Sequence, residues 1–192
     1  MPTLLCVTGN TVKFEIAKNL FSKYDVNLEQ IVADIDEIQG DDPEVIVRDK
    51  VNRAYALVGK PVVVTDDSWS IPALNGFPGA YMKYINQWFT PQDYLNLMQG
   101  KENRRTVLLQ FVAYKDAYET VVFSSAIYGN IVTNEPRGSF GPSIMKVTEE
   151  DGDDGMTISE VYDSGKEHTA DRLTRSSAWD ELAKWYSEKI AV

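Results

Sequence analysis

The sequence predicts an α/β protein built on a mixed β-sheet, and three stretches carry that prediction. Thr3–Thr8 is a short apolar run that breaks at Gly9-Asn10, after which Phe14, Ala17 and Phe21, with Ile16 and Leu20 beside them, recur at helical spacing. Val62-Val63-Val64 has the β-branched composition of a strand buried on both faces and leads directly into Asp66 and Asp67. Thr106–Tyr114 and Glu119–Tyr128 are β-rich runs joined by Lys115-Asp116-Ala117-Tyr118, which reads as a hairpin. Strand–turn–helix units followed by an antiparallel ribbon require a sheet of mixed direction.

The elements between these landmarks follow in order. The Gly9-Asn10 turn is read in two ways: as a capped surface helix start, or as a cluster of backbone N–H groups that, with Lys13 in the first turn, receives an anion. Leu28–Ile35 fits a second strand. Asp41 and Asp42 precede Pro43, which opens a helix with Val47, Val51, Ala54, Tyr55 and Val58 on its apolar face. Helix capping accounts for Asp41, Asp42 and Glu44 but leaves Glu37 over, just past a strand end, and Lys50 on the helix is a candidate phosphate partner. Asp66 and Asp67, with Ser68 beside them, are placed at a strand's carboxyl end, where ligands of open α/β sheets bind and where carboxylates hold a hard divalent cation or steer a water. A solvated turn is the plainer reading of the same residues.

Asn75-Gly76-Phe77-Pro78-Gly79 has the composition of a tight, shaped loop. Tyr81–Phe89 is read as helical, and Thr90-Pro91-Gln92-Asp93 is a helix start with its own cap. Pro136–Pro142 is a second Gly/Pro-rich loop, whose Phe140 is either a stacking platform or a plug in the core. The acidic run Glu149–Gly155 lacks the glycine and spacing of a calcium loop and reads as a solvated hairpin turn. Thr157-Ile158-Ser159-Glu160 is a capping box, and the last helix carries Trp179, Leu182, Ala183, Tyr186 and Ile190 in one stripe. His168, the only histidine, has no second His or Cys to complete a zinc site and reads as a surface residue.

Composition narrows the function classes. The 192 residues are 43% hydrophobic, which suits a single domain over 1–192. A net charge of −10 argues against nucleic-acid and anionic-membrane partners. If the ligand is itself anionic, a cation and local Lys or Arg groups must reverse the field. One cysteine, Cys6, excludes an internal disulfide and reads as an inert buried thiol in a reducing compartment. With no apolar run of membrane-spanning length and no signal-peptide pattern at Met1-Pro2-Thr3, the expected address is cytoplasmic.

Three motifs in order now carry a resemblance: V-T-G-N-T-V-K-F-E (Val7–Glu15), E-I-Q-G (Glu37–Gly40), and D-D-S followed by A-L-N-G-F-P-G-A-Y (Asp66–Tyr81). Together with R-G-S-F-G-P and T-I-S-E further on, they make essentially the whole chain resemble the inosine triphosphate pyrophosphatase family. The resemblance implies a two-lobed mixed sheet with flanking helices and a central nucleotide-binding cleft, a homodimer, and dependence on Mg²⁺ with Mn²⁺ as a substitute. It implies hydrolysis of non-canonical purine nucleoside triphosphates (ITP, dITP, XTP) to the monophosphate and pyrophosphate. Residue by residue, Lys13 matches the triphosphate lysine, with Thr8, Gly9 and Asn10 in the same turn. Glu37 and Asp67 match the metal-coordinating acids, and Asp67 also matches the residue that orients or deprotonates the attacking water, supported by Asp66 and Ser68. Phe140 and Gly141 match the loop whose Phe stacks on the purine, and Arg175 falls where the family has an arginine near the base.

The departures lie toward the base. Leu173-Thr174-Arg175 stand where the family usually has Ser-His-Arg, Ser143 replaces the aspartate of the Phe-Gly-x-Asp-Pro loop, and the family's lysine is matched only by Lys166 somewhat upstream. Rejection of the wrong base rests on polar groups left unpaired, an effect worth up to about 10⁴–10⁵-fold. The sequence therefore keeps open the same reaction with altered base specificity, and a nucleotide-binding protein without turnover. Lys13, Glu37 and Asp67 speak for an enzyme, because breaking a phosphoanhydride needs a placed water, a cation and fixed positive groups but no covalent nucleophile.

Overall fold

A computed structural model of the chain describes residues 3–167 and 177–191. Its strands are β1 (Thr3–Val7), β2 (Asn27–Ile31), β3 (Val62–Ile71), β4 (Phe77–Gly79), β5 (Arg105–Lys115), β6 (Thr120–Ile131) and β7 (Thr148–Glu150). The helices among the described residues are α1 (Thr11–Ser22), α2 (Pro43–Val58), α3 (Met82–Trp88), α4 (Pro91–Leu97), α5 (Ile158–Asp163) and α6 (Ser177–Ile190). The strands form one sheet in the order β2-β1-β3-β5-β6-β7, with β4 also on β3. β1 runs parallel to β2 and β3, while β3–β4 and β6–β7 are antiparallel, so the sheet is mixed as expected.

The chain divides into two compact units. The first takes 1–66, 110–125 and 173–192; the second takes 67–109 and 126–172. In the first unit the residues of β1, β3 and β5 alternate between two cores. Leu4, Cys6, Val63, Val112 and Tyr114 pack with Phe14, Ala17, Leu20 and Phe21 of α1 and with Trp179, Leu182, Ala183 and Tyr186 of α6. Val7, Val62, Val64 and Ala113 pack with Val47, Val51 and Ala54 of α2. The second unit has a core of Trp69, Ile71, Met82, Ile85, Tyr94, Met98, Ile131, Ile144 and Ile158.

Helix boundaries follow local chemistry. The Asp42 side chain accepts from Glu44 N–H ahead of Pro43, and Gly59 closes α2 at φ 68°. Reciprocal caps at Thr90/Asp93 and Thr157/Glu160 start α4 and α5.

Four expectations change. The second strand ends at Ile31, not Ile35, because pairing with β1 stops at Val7↔Ile31 and Val32 is 75% exposed. β3 does not stop at the acids but runs through them to Ile71, where Trp69 and Ile71 are buried and pair with β4. Ile190 leaves the apolar stripe of α6 and is 40% exposed. The acidic turn after β7 is not fully solvated, since Glu150 and Asp153 are both buried.

Candidate functional site

In the first unit the β1–α1 turn is held by its own side chains. Asn10 N–H donates to Thr8 Oγ1 at 3.1 Å, and Lys13 N–H donates to Asn10 Oδ1 at 3.1 Å. Asn10 is thus the N-cap of α1, and two N–H groups of the expected anion cradle already have intramolecular acceptors. Gly9 is exposed, and the Lys13 side chain is half-buried.

Lys50 is the centre of the charged chemistry in this unit. It lies three residues after Val47 and four before Ala54, on the helix face that packs into the core, so its methylenes are covered while its ammonium seeks oxygen. The ammonium donates to Glu37 Oε1 at 2.6 Å and to the Thr65 carbonyl at 3.0 Å, and it stands 3.6 Å from Asp66 Oδ1. Side-chain exposures of 16%, 27% and 17% for Lys50, Glu37 and Asp66 make this a partly desolvated cluster, where charges are screened less than on an open surface. It contains two carboxylates and one ammonium. Thr65 Oγ1 donates to the Phe111 carbonyl, fixing the strand whose own carbonyl serves Lys50.

The extension of β3 sets the direction of the two aspartates. Successive residues of an extended strand point to opposite faces, so Asp66, on the face of Val64, does not project together with Asp67. The acid that joins Glu37 on a common cationic group is Asp66. Lys50, expected as a phosphate partner, here donates to Glu37 and stands near Asp66. Ser68 is buried. Among the described residues, no three His, Cys, Asp or Glu side chains are grouped as a metal site.

In the second unit the loop ahead of α5 is fastened to that helix. Gly138 has φ 85°, and a Cβ there would stand 2.5 Å from Ser159 Oγ, so only glycine fits. Ser139 donates through its N–H and its hydroxyl to the Asp163 carboxylate at 2.6 and 2.8 Å, which holds that carboxyl below its ordinary range. Ser159 Oγ donates to the Phe140 carbonyl at 2.7 Å. The Phe140 ring stacks on Tyr162 with centroids 4.5 Å apart and planes 2° from parallel. Phe140 is therefore neither a core plug nor a bare platform: one face rests on Tyr162. Ser143 Oγ donates at 2.6 Å to the carbonyl of Phe89, the C-cap of α3.

Sequence reasoning missed Thr65 and Tyr162. The first acts through a backbone carbonyl, for which side-chain identity gives no signal; the second follows a recognised capping box but has no motif of its own. Arg175, with Leu173, Thr174 and His168, lies outside the described residues. Burial pushes the Cys6 thiol up to about 12, partly opposed by the charge of Lys50, so it is the inert thiol expected.

Residues 4–185 match the sequence model of the Ham1 family. The chain belongs to that family. Among its Ham1-like relatives, a Methanopyrus kandleri protein named dITP/XTP pyrophosphatase is 32% identical over 98% of each chain. A Trypanosoma cruzi protein named inosine triphosphate pyrophosphatase 2 is 31% identical over 86% of this chain and 84% of its own. The fold matches the structure of a HAM1 protein from Coxiella burnetii, with a TM-score of 0.78 at 19% identity, covering 98% of this chain and all of that one. The family resemblance seen in the motifs is borne out, as is the mixed α/β class. Among the described residues no helix is long and apolar enough to cross a membrane.

Proposed function

We propose that this Ham1 family chain hydrolyses non-canonical purine nucleoside triphosphates (ITP, dITP and XTP) to the monophosphate and pyrophosphate. The proposal includes Mg²⁺ dependence, a homodimer and a cytoplasmic setting. The observation that carries it is the convergence of Glu37, Asp66 and the Thr65 carbonyl on one cationic group, in a chain whose full-length relative is named dITP/XTP pyrophosphatase.

The donor set fits Mg²⁺. It consists only of oxygen, with two carboxylates, and Mg²⁺ binds through one or two carboxylates while waters and phosphate oxygens fill its other positions. Glu37 and Asp66 would hold the cation, and Asp67, which leaves the strand on its other face, is the acid that the family resemblance assigns to the attacking water. When bound, the cation offsets charge on the departing pyrophosphate.

The remaining roles belong to the chain. Lys13, in the first turn of α1, supplies fixed positive charge to the triphosphate, where the helix dipole also favours an anion. Asp67 orients a water and accepts its proton as the water oxygen joins phosphorus; the α–β phosphoanhydride breaks and its electron pair leaves with pyrophosphate. Phe140 offers its ring to the purine, steadied from behind by Tyr162.

Product analysis with purified protein and Mg²⁺ tests this. ITP and XTP should yield monophosphate and pyrophosphate far faster than ATP, GTP, CTP or UTP, and diphosphate plus phosphate as products would overturn it. A second reading, the same reaction on a different base, is favoured by Ser143, whose hydroxyl is committed to the Phe89 carbonyl where the family places an acid. Faster cleavage of ATP or a pyrimidine triphosphate would establish that reading. Gel filtration with light scattering tests the homodimer.

A further inference from the structure

The cluster around Lys50 has the form of a cation site with a side chain in the cation's place. Two carboxylates and a main-chain carbonyl meet one ammonium, at 2.6, 3.6 and 3.0 Å. A lysine serving only phosphate would leave its ammonium toward open space; here both nearest acids draw it in. Its position on the core-packed face of α2, with its stem covered, limits where the ammonium can rest. Two carboxylates carry two negative charges, which one divalent cation in the ammonium's place would neutralise.

We propose that Lys50 is an internal placeholder for the divalent cation: it occupies the oxygen donors of Glu37 and Asp66 when no metal is present, and metal entry displaces its ammonium from them. This rests on the metal-dependent reading above and deepens it. The displaced ammonium, with three N–H donors and Glu37 and Asp66 taken by the metal, then becomes available to a phosphate oxygen. Metal binding and phosphate capture are thereby linked through one side chain. Metal arriving with the nucleotide gains a phosphate partner for Lys50 that bare metal lacks, so the site is poor at holding metal alone and does not accumulate it between turnovers.

The test is direct Mn²⁺ binding to the full chain after chelator treatment, followed by electron paramagnetic resonance without nucleotide. In Lys50→Met, which keeps the buried stem and removes the competing charge, Mn²⁺ should bind at least tenfold more tightly than in the wild type. A purely structural role for Lys50 predicts the opposite, because loss of its contacts would loosen the acids and weaken binding. Unchanged or weaker Mn²⁺ affinity in the variant would overturn the placeholder role.

Should Lys50→Met fail to fold, the wild type gives the answer through amine labelling. Brief acetylation read by mass spectrometry should modify Lys50 several-fold faster with Mg²⁺ than without, relative to the exposed Lys60. Equal or slower labelling would overturn the proposal. The two readings fail separately: a wild type that binds Mn²⁺ with no gain in the variant loses only the placeholder. If neither protein binds Mn²⁺ and ITP is cleaved without a divalent cation, the metal dependence falls and takes the placeholder with it.

Discussion

The Lys50 cluster of the first unit and the Gly138–Ser143 loop of the second are held by different forces. The first is held by charge: an ammonium between Glu37 and Asp66, with a single carbonyl beside it. The second is held by hydrogen bonds to its own backbone, by a glycine that nothing can replace, and by one ring stacked on another. A contact made of charge can be exchanged for another charge at little cost, whereas a contact made of backbone geometry cannot be exchanged at all. The charge-held region is therefore suited to cations and phosphates that come and go, and the backbone-held region to presenting an aromatic face in one orientation. Mutations should separate the two by what they damage, turnover in one and folding in the other.

The largest effect belongs to Asp67. Asp67→Asn removes the proton acceptor while keeping the shape, and turnover of ITP should fall at least 10³-fold with nucleotide binding within a few-fold of the wild type. Calorimetric titration with a non-hydrolysable analogue, beside steady-state kinetics, checks both halves. Activity within tenfold of the wild type would move the base elsewhere, with Asp66 the first candidate.

Gly138→Ala should act through stability instead. The added Cβ meets Ser159 Oγ at 2.5 Å and must also adopt a φ of 85°, so the variant should lose about 2–4 kcal/mol in urea unfolding. If the variant keeps its stability and loses only activity, the loop is not fastened as described.

How much of this was legible in the sequence depends on whether the controlling contact is local. The start of α2 at Pro43, the capping boxes at Thr90 and Thr157, and the hairpin at Asp116–Glu119 all rest on neighbours within a few residues, and the structure has each of them. The acids were legible as chemistry but not as geometry. Nothing in D-D-S says whether the strand stops, and it continues because Trp69 and Ile71, further along, are drawn into a core with residues from α3, α4 and α5. Once it continues, the two aspartates separate, and the pairing of Glu37 with Asp66 through Lys50 follows from tertiary placement alone. Tyr162 beneath Phe140 was illegible for the same reason: the two rings that stack are twenty-two positions apart in the chain.

A second ion cluster in the first unit shows charge used for stability rather than exchange. Asp116 accepts from Tyr114 OH and from the N–H groups of Tyr118 and Glu119, and pairs with Lys189 at 2.8 Å. Burial alone would raise its pKa, but Lys189, the two N–H groups and the Tyr114 hydroxyl outweigh that and hold the carboxyl well below its usual range. A depressed folded pKa gives stability that is present above the unfolded value of about 3.9 and is lost as pH falls through the folded one. Asp116→Asn should thus be about 1–3 kcal/mol less stable than the wild type at pH 7, with the gap closing below about pH 4. Urea unfolding across that range checks it, and a gap that does not close in acid would remove the ionised carboxylate as its cause.

The smallest effect tests whether the backbone-held loop has a family residue missing or a different residue in use. Ser143 donates its hydroxyl to the Phe89 carbonyl, closing the end of α3 against the 3₁₀ turn Ser143–Lys146. An ionised aspartate has no proton to give and would set its charge against that carbonyl. Ser143→Ala should cost about 1 kcal/mol, and Ser143→Asp, although it restores the family's residue, should cost more, about 2 kcal/mol, by thermal unfolding. If the loop has been rebuilt around the serine, the ratio of ITP to ATP cleavage in Ser143→Asp should stay within about threefold of the wild type, well short of the roughly tenfold shift that 1.4 kcal/mol of new discrimination would bring. A tenfold rise in selectivity at unchanged stability would mean that the serine is a simple loss, and that the loop still has room for the acid.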